Sequence, residues 1–134
     1  KSWTDYHWGF EFIDLGYSGL WSDQNEDQSF RSVYVFDYLR HKVNLRLSQK
    51  LPRLEKLSVQ YAASFQDRVG SYGNALGQQI DYEPILLLNL GLHYDLGKGN
   101  LFLQARNLLD RNYVDLGNVE LPGFWLNGGI SWQF

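Results

Sequence analysis

The stretch FWLNGGISWQF (residues 124–134) divides into two faces when read by parity. In an extended strand, successive side chains point to opposite sides. Phe124, Leu126, Gly128, Ile130, Trp132 and Phe134 then share one side, and Trp125, Asn127, Gly129, Ser131 and Gln133 the other. One side is apolar and the other mostly polar. A half-buried strand of a water-soluble sheet reads the same way, so the question is whether the apolar side meets a packed core or lipid.

The same alternation recurs along the chain, and helix signals are nearly absent. IDLGYSGLW (13–21) sets Ile13, Leu15, Tyr17, Gly19 and Trp21 on one face. KVNLRLS (42–48) sets Val43, Leu45 and Leu47 against Lys42, Asn44, Arg46 and Ser48. LSVQYAASF (57–65) sets Leu57, Val59, Tyr61, Ala63 and Phe65 against Ser58, Gln60, Ala62 and Ser64. PILLLNLGLHY (84–94) sets Leu86, Leu88, Leu90, Leu92 and Tyr94 against Ile85, Leu87, Asn89, Gly91 and His93. LFLQAR (101–106) sets Leu101, Leu103 and Ala105 against Phe102, Gln104 and Arg106.

The connections alternate in length. A long polar loop after Trp21 is followed by a short turn at 49–56, a long loop at 66–83, a short turn at 95–100, in which GKGN (97–100) has hairpin character, and a long loop at 108–123. This predicts an all-β, antiparallel up-and-down meander with every long loop at one end, the pattern of outer-membrane barrels. Each long loop carries three carboxylates to one Arg: Asp23, Glu26, Asp27 and Arg31; Asp67, Asp81, Glu83 and Arg68; Asp110, Asp115, Glu120 and Arg111. Solvated loop charge accounts for them; a loop-bound divalent cation or a cationic ligand is the sharper alternative. Near residues 12–13 the apolar phase flips from even (Tyr6, Trp8, Phe10, Phe12) to odd, through a bulge, a turn or a missing segment.

Composition narrows the class. Hydrophobic residues are 44% and aromatics 16%, which excludes a disordered chain. The net charge of −3 argues against nucleic acid, whose phosphates need a basic patch. There is no Cys, hence no disulfide or thiolate metal site, and no Met, so sequence upstream of Lys1 is expected. No stretch approaches the roughly 20 apolar residues of a spanning helix, which leaves a membrane β-barrel open.

The C-terminal segment NLFLQARNLLDRNYVDLGNVELPGFWLNGGISWQF (100–134) resembles the end of TonB-dependent outer-membrane receptors. The likeness rests on Asn107, Leu108, Leu109, Asp110 and Tyr113, then Gly117 and Asn118, Pro122 and Gly123, and the closing Phe134; Leu109 stands where the family usually has Phe. DYLRHKVNLRLS (37–48) and SFQDRVGSY (64–72) look like receptors of this family from Bacteroidota-type bacteria, of the cobalamin or siderophore kind. The resemblance implies that residues 1–134 are the last five or six transmembrane strands of a barrel of about 22 strands, without its plug domain. It implies a bacterial outer-membrane location and active uptake of an iron chelate, haem or cobalamin. The implied partners are outer-membrane lipid, the plug, the energy-coupling TonB complex, the barrel assembly machinery and a small-molecule ligand. Leu126, Ile130, Trp132 and Phe134 would form the assembly signal.

No catalytic constellation stands out, and an enzyme is not expected. His7, His41 and His93 lack metal-ligand spacing, and no cofactor site is expected. Lys42, Asn44, Arg46, Gln60, Asn89, Gln104 and Arg106 are the candidate lumen-facing residues, and Tyr72, Tyr82 and Tyr113 the candidate ligand-contacting loop aromatics. Two alternatives stay open: an oligomeric outer-membrane β-barrel pore, and a soluble lipocalin-like ligand binder, which needs roughly eight closed strands.

Overall fold

The computed structural model describes residues 9–21, 38–51, 53–74, 76–115 and 119–133. Ten strands follow in order: β1 (Phe10–Gly19), β2 (Tyr38–Leu51), β3 (Leu54–Val69), β4 (Ser71–Gly73), β5 (Gln79–Asp81), β6 (Ile85–Asp95), β7 (Gly99–Arg106), β8 (Tyr113–Asp115), β9 (Val119–Leu121) and β10 (Trp125–Trp132). Six form one sheet in the order β1-β2-β3-β6-β7-β10, and β4–β5 and β8–β9 are separate two-stranded hairpins. Every neighbouring pair in the large sheet is antiparallel, so the chain runs up and down as the alternation predicts. The described residues include no helix.

The register carries each face through the whole sheet. Ile13, Leu47, Tyr61, Leu90, Ala105 and Leu126 lie in one row across all six strands. One residue over, Phe12, Ser48, Gln60, Gly91, Gln104 and Asn127 form a row on the opposite side. Because side-chain direction alternates with period two, a one-residue slip in any pair would mix the faces; none does so within these rows.

The apolar face has no second layer among the described residues. Ile13, Leu15, Tyr17, Leu45, Tyr61, Phe65, Leu86, Leu101, Leu103, Leu126, Ile130 and Trp132 are all exposed, from 39% for Phe65 to 70% for Leu15. Val59, at 6% exposure, is the one buried hydrophobic side chain there. A buried Leu or Ile contributes about 1.5–3 kcal/mol relative to an exposed one. Leaving this face in water therefore forfeits on the order of 20 kcal/mol, more than the typical net stability of a domain. The face needs a cover.

β2 and β3 are longer than the alternation suggested. The connection assigned to 49–56 contracts to residues 52 and 53, between Leu51 and Leu54. The other short turn spans Leu96–Lys98, where Gly97 has φ +86° and donates its N–H to Asp95 Oδ1 at 2.7 Å. Both short turns lie at one end of the sheet, and the segments holding β4–β5 and β8–β9 lie at the other, as the meander requires.

A β-bulge between Phe10 and Phe12 brings Phe10 onto the face of Ile13 and leaves Phe12 on the polar side, out of the apolar phase. Phe10 pairs with Gln49 and Phe12 with Ser48, so β1 holds one residue more than β2 here. The extra residue, Glu11, accepts from Ser48 Oγ at 2.9 Å and pairs with Lys50 Nζ at 2.7 Å. Tyr6 and Trp8, before it, lie outside the described residues. A second bulge lies at Arg40, between the pairs Leu39–Arg68 and His41–Asp67. Arg40 Nη2 reaches Asp67 Oδ2 at 2.7 Å.

Candidate functional site

Two regions collect polar and aromatic groups: the polar face of the sheet, and a cavity at its long-loop end. The register sets all seven candidate lumen residues, Lys42, Asn44, Arg46, Gln60, Asn89, Gln104 and Arg106, on the polar face. Arg46 pairs with Asp14, its Nε donating to Oδ2 at 3.1 Å. Ser64 Oγ donates to Asn44 Oδ1 at 2.9 Å. Arg106 Nη2 donates to Gln104 Oε1 at 3.3 Å, and its guanidinium sits 4.9 Å from the Trp125 ring centre. Gly16, Ala62 and Ser64 leave an open trough of about 410 Å³ between Arg46 and Asn89. Gln60 and Lys42 stand beside it without entering it. Such solvated pairs add little stability; their effect is to keep this face wet.

The cavity lies where β3 and β6 meet the two small hairpins. Its volume is about 570 Å³, and Tyr72, Tyr82 and Tyr113 all line it. Tyr72 belongs to β4 and Tyr113 to β8, so two of the three loop aromatics stand on hairpins. The Tyr72 and Tyr82 ring centres are 5.4 Å apart with planes tilted 42°. Between these walls sits Arg68, whose side chain is only 8% exposed. Its Nη2 donates to Asp115 Oδ1 at 2.7 Å, and its Cζ lies 5.4 Å from the Tyr82 ring centre. Its Nη1 is buried and meets no acceptor among the described residues. Burial, then the charge of Asp115, raises the Tyr113 pKa above its ordinary value. The phenol therefore stays a donor at physiological pH.

No protein-family model, curated protein or solved structure matches the chain.

Residues 107–111 and 122–124 form a clamp, in which Asn107, Asp110, Pro122 and Gly123 are among the residues that carried the resemblance. Asn107 is 5% exposed and left-handed, with φ +51°. Its backbone N–H donates to Asn89 Oδ1 at 2.9 Å, and its Nδ2 donates to Arg111 O at 2.7 Å and Pro122 O at 3.3 Å. Its Oδ1 accepts from Arg111 N at 3.1 Å. Asp110, also left-handed at φ +50°, accepts from Phe124 N at 2.7 Å. A Cβ on Gly123 would collide with Asp110 Oδ1, which accounts for glycine there. Leu108 N donates to Leu88 O at 2.8 Å while its side chain stays exposed. Gly117 and Asn118 lie outside the described residues. Asn107→Ala is expected to cost about 1–3 kcal/mol, because it strands buried backbone groups. Leu109→Ala, with its side chain 43% exposed, should cost far less. The midpoint of heat-induced unfolding for the two variants checks this.

The remaining candidates disperse. Leu126, Ile130 and Trp132 are exposed on the apolar face of β10, and Phe134 lies outside the described residues. His41 Nδ1 is 2.9 Å from Tyr17 Oη, while His93 stacks on Phe102 with ring centres 6.4 Å apart. His7 and the acidic loop at 22–33 lie outside the described residues. Among those described, no group of three or more His, Cys, Asp or Glu is placed to hold a metal ion. Sequence reasoning missed Arg68, weighing it only as loop charge. Carrying the parity of Gln60, Ser64 and Gln66 two residues further would have placed it on the polar face.

Proposed function

We propose that the chain is the C-terminal barrel portion of a TonB-dependent outer-membrane receptor, an active transporter of a scarce, bulky nutrient. The observation that carries the reading is the apolar face, continuous across six strands and uncovered, set against a polar face of paired charges. Lipid is the cover that suits a face of this extent with no apolar partner layer, and a hydrated lumen suits the opposite face. Among the described residues β1 and β10 each pair on one side only; in the complete barrel further strands would close the sheet, with the plug domain filling the lumen and the TonB complex supplying energy. The assembly machinery would take hold of the β10 end. The proposed location is the bacterial outer membrane, with the cavity outside the cell.

Topology tests this. Gly73 and Gly99 are poor labelling positions: Gly73 is only half-exposed, and Gly99 is buried, where a Cβ would collide with Ser131 and Trp132. Leu76, 83% exposed at the tip of the β4–β5 hairpin, and Lys98, exposed in the short turn, are better. In the full-length protein, Leu76→Cys is expected to react with an impermeant thiol reagent on intact cells. Lys98→Cys is expected to react only after the outer membrane is opened. Labelling of position 98 but not 76 on intact cells would invert the orientation and sink the reading.

A further inference from the structure

We infer that Arg68 couples the two hairpins that wall the cavity, so that displacing either one releases the other. The inference goes beyond the transporter reading and stands on the geometry of the long-loop end. Neither hairpin holds itself. β4–β5 and β8–β9 each pair three residues per strand and lie outside the large sheet, and an isolated two-stranded hairpin is marginal at best in water. The chain leaves β3 at Gly70, with φ +113°, and Tyr82 N closes the first excursion by donating to Gly70 O at 3.2 Å. The clamp at Asn107 and Asp110 fixes the base of the second excursion, and Asp115 lies beyond it.

Arg68 stands on the wall between them. Its side chain donates from Nη2 to Asp115 on β8, and its guanidinium lies against the Tyr82 ring just past β5. One buried cation thus serves a partner on each excursion. Asp115 is the only carboxylate paired with it among the described residues. A buried cation stripped of its counter-charge is costly, and Nη1 is already buried without an acceptor there. When β8–β9 swings away, the guanidinium must therefore turn toward water. That movement removes the cation from the face of Tyr82, where a desolvated contact of this kind is favourable. Tyr72 of β4 packs on Tyr82, so the first hairpin moves with that ring. When Tyr82 moves first, Arg68 becomes hydrated and its pair with Asp115 weakens, as exposed pairs do. Such coupling is reciprocal by thermodynamic necessity. Both hairpins line the cavity of about 570 Å³, so its two walls open together.

The test measures distances between nitroxide spin labels in the full-length protein purified in detergent. Labels at Leu76→Cys and Lys98→Cys report β4–β5 against the far end of the wall, and labels at Glu120→Cys and Lys98→Cys report β8–β9; all three positions are exposed. Each pair is expected to give one narrow distance peak. In Arg68→Met, which keeps the bulk of the side chain, the fraction of molecules outside the peak is expected to rise about tenfold for both pairs, as for loss of one hydrogen bond to a charged group. The decisive variants act across the cavity. Asp115→Ala, on β8, is expected to broaden the β4–β5 distance, and Tyr82→Ala the β8–β9 distance, by similar factors. Arg46→Met, which breaks the Asp14 pair elsewhere on the polar face, should change neither. Should Arg68→Met fail to fold, judged by circular dichroism, Asp115→Ala and Tyr82→Ala carry the test. Release of one hairpin without the other in folded Arg68→Met, a β4–β5 distance indifferent to Asp115→Ala, or broad distributions before any cavity substitution each overturns the inference. A protein that shows the coupling yet stays folded without detergent or lipid refutes the transporter reading alone.

Discussion

Leu90→Arg is expected to deplete folded, heat-modifiable protein from outer-membrane fractions, while Leu87→Arg, three residues away, leaves it largely intact. The two substitutions are chemically identical. They differ in where the register puts them: Leu90 lies opposite Tyr61 and Ala105 on the apolar face, and Leu87 opposite Ser64 on the polar one. A guanidinium near the bilayer midplane costs about 2–4 kcal/mol, whereas on a wet wall it is hydrated. Asn89 is a less clean comparison than Leu87, because its Oδ1 accepts the Asn107 N–H and any replacement disturbs the clamp. Equal loss for both variants would mean both faces are buried in protein, as in a sandwich. Greater loss for Leu87→Arg would exchange the faces.

A larger effect is expected for residues 1–134 produced alone. Among the described residues β1 and β10 each pair on one side only. In lipid, an open edge leaves on the order of ten backbone groups unmet at several kcal/mol each. That sum exceeds what the internal pairing can offset, so the isolated segment should yield oligomers or aggregates in detergent. A monodisperse, heat-resistant monomer in light scattering would falsify this and favour a self-contained sheet.

Strand order and both faces were legible because alternation is a local signal that repeats in every strand. Where the structure departed from it, the reason is a residue that breaks the alternation while keeping the pairing. Asp67 occupies an apolar-face position at the top of β3, so the apolar pattern ends at Phe65 while the strand continues to Val69. Its carboxylate is bound by Arg40, a bulge residue of the neighbouring strand. That pairing spans two strands and is invisible to any window of sequence. The same break hid Arg68. Glu11 shows the intermediate case: the phase change around it was plain, but only the partners Ser48 and Lys50 identify a bulge. The cavity could not be read at all, since it needs β4–β5 and β8–β9, distant in sequence, to meet beside β3 and β6.

The clamp at Asn107 and Asp110 frees the geometry of the last two strands from the length of what joins them. Asn107 reaches Pro122, and Asp110 holds Phe124, so the return path is closed at its base. Residues inserted beyond that closure lengthen only the outer part of the excursion, and each doubling of a flexible loop costs about 0.6 kcal/mol. β7 and β10 would keep their register under such insertions. The outer end of this connection is thus free to diversify, or to accept an inserted epitope, at little cost to the wall beneath it.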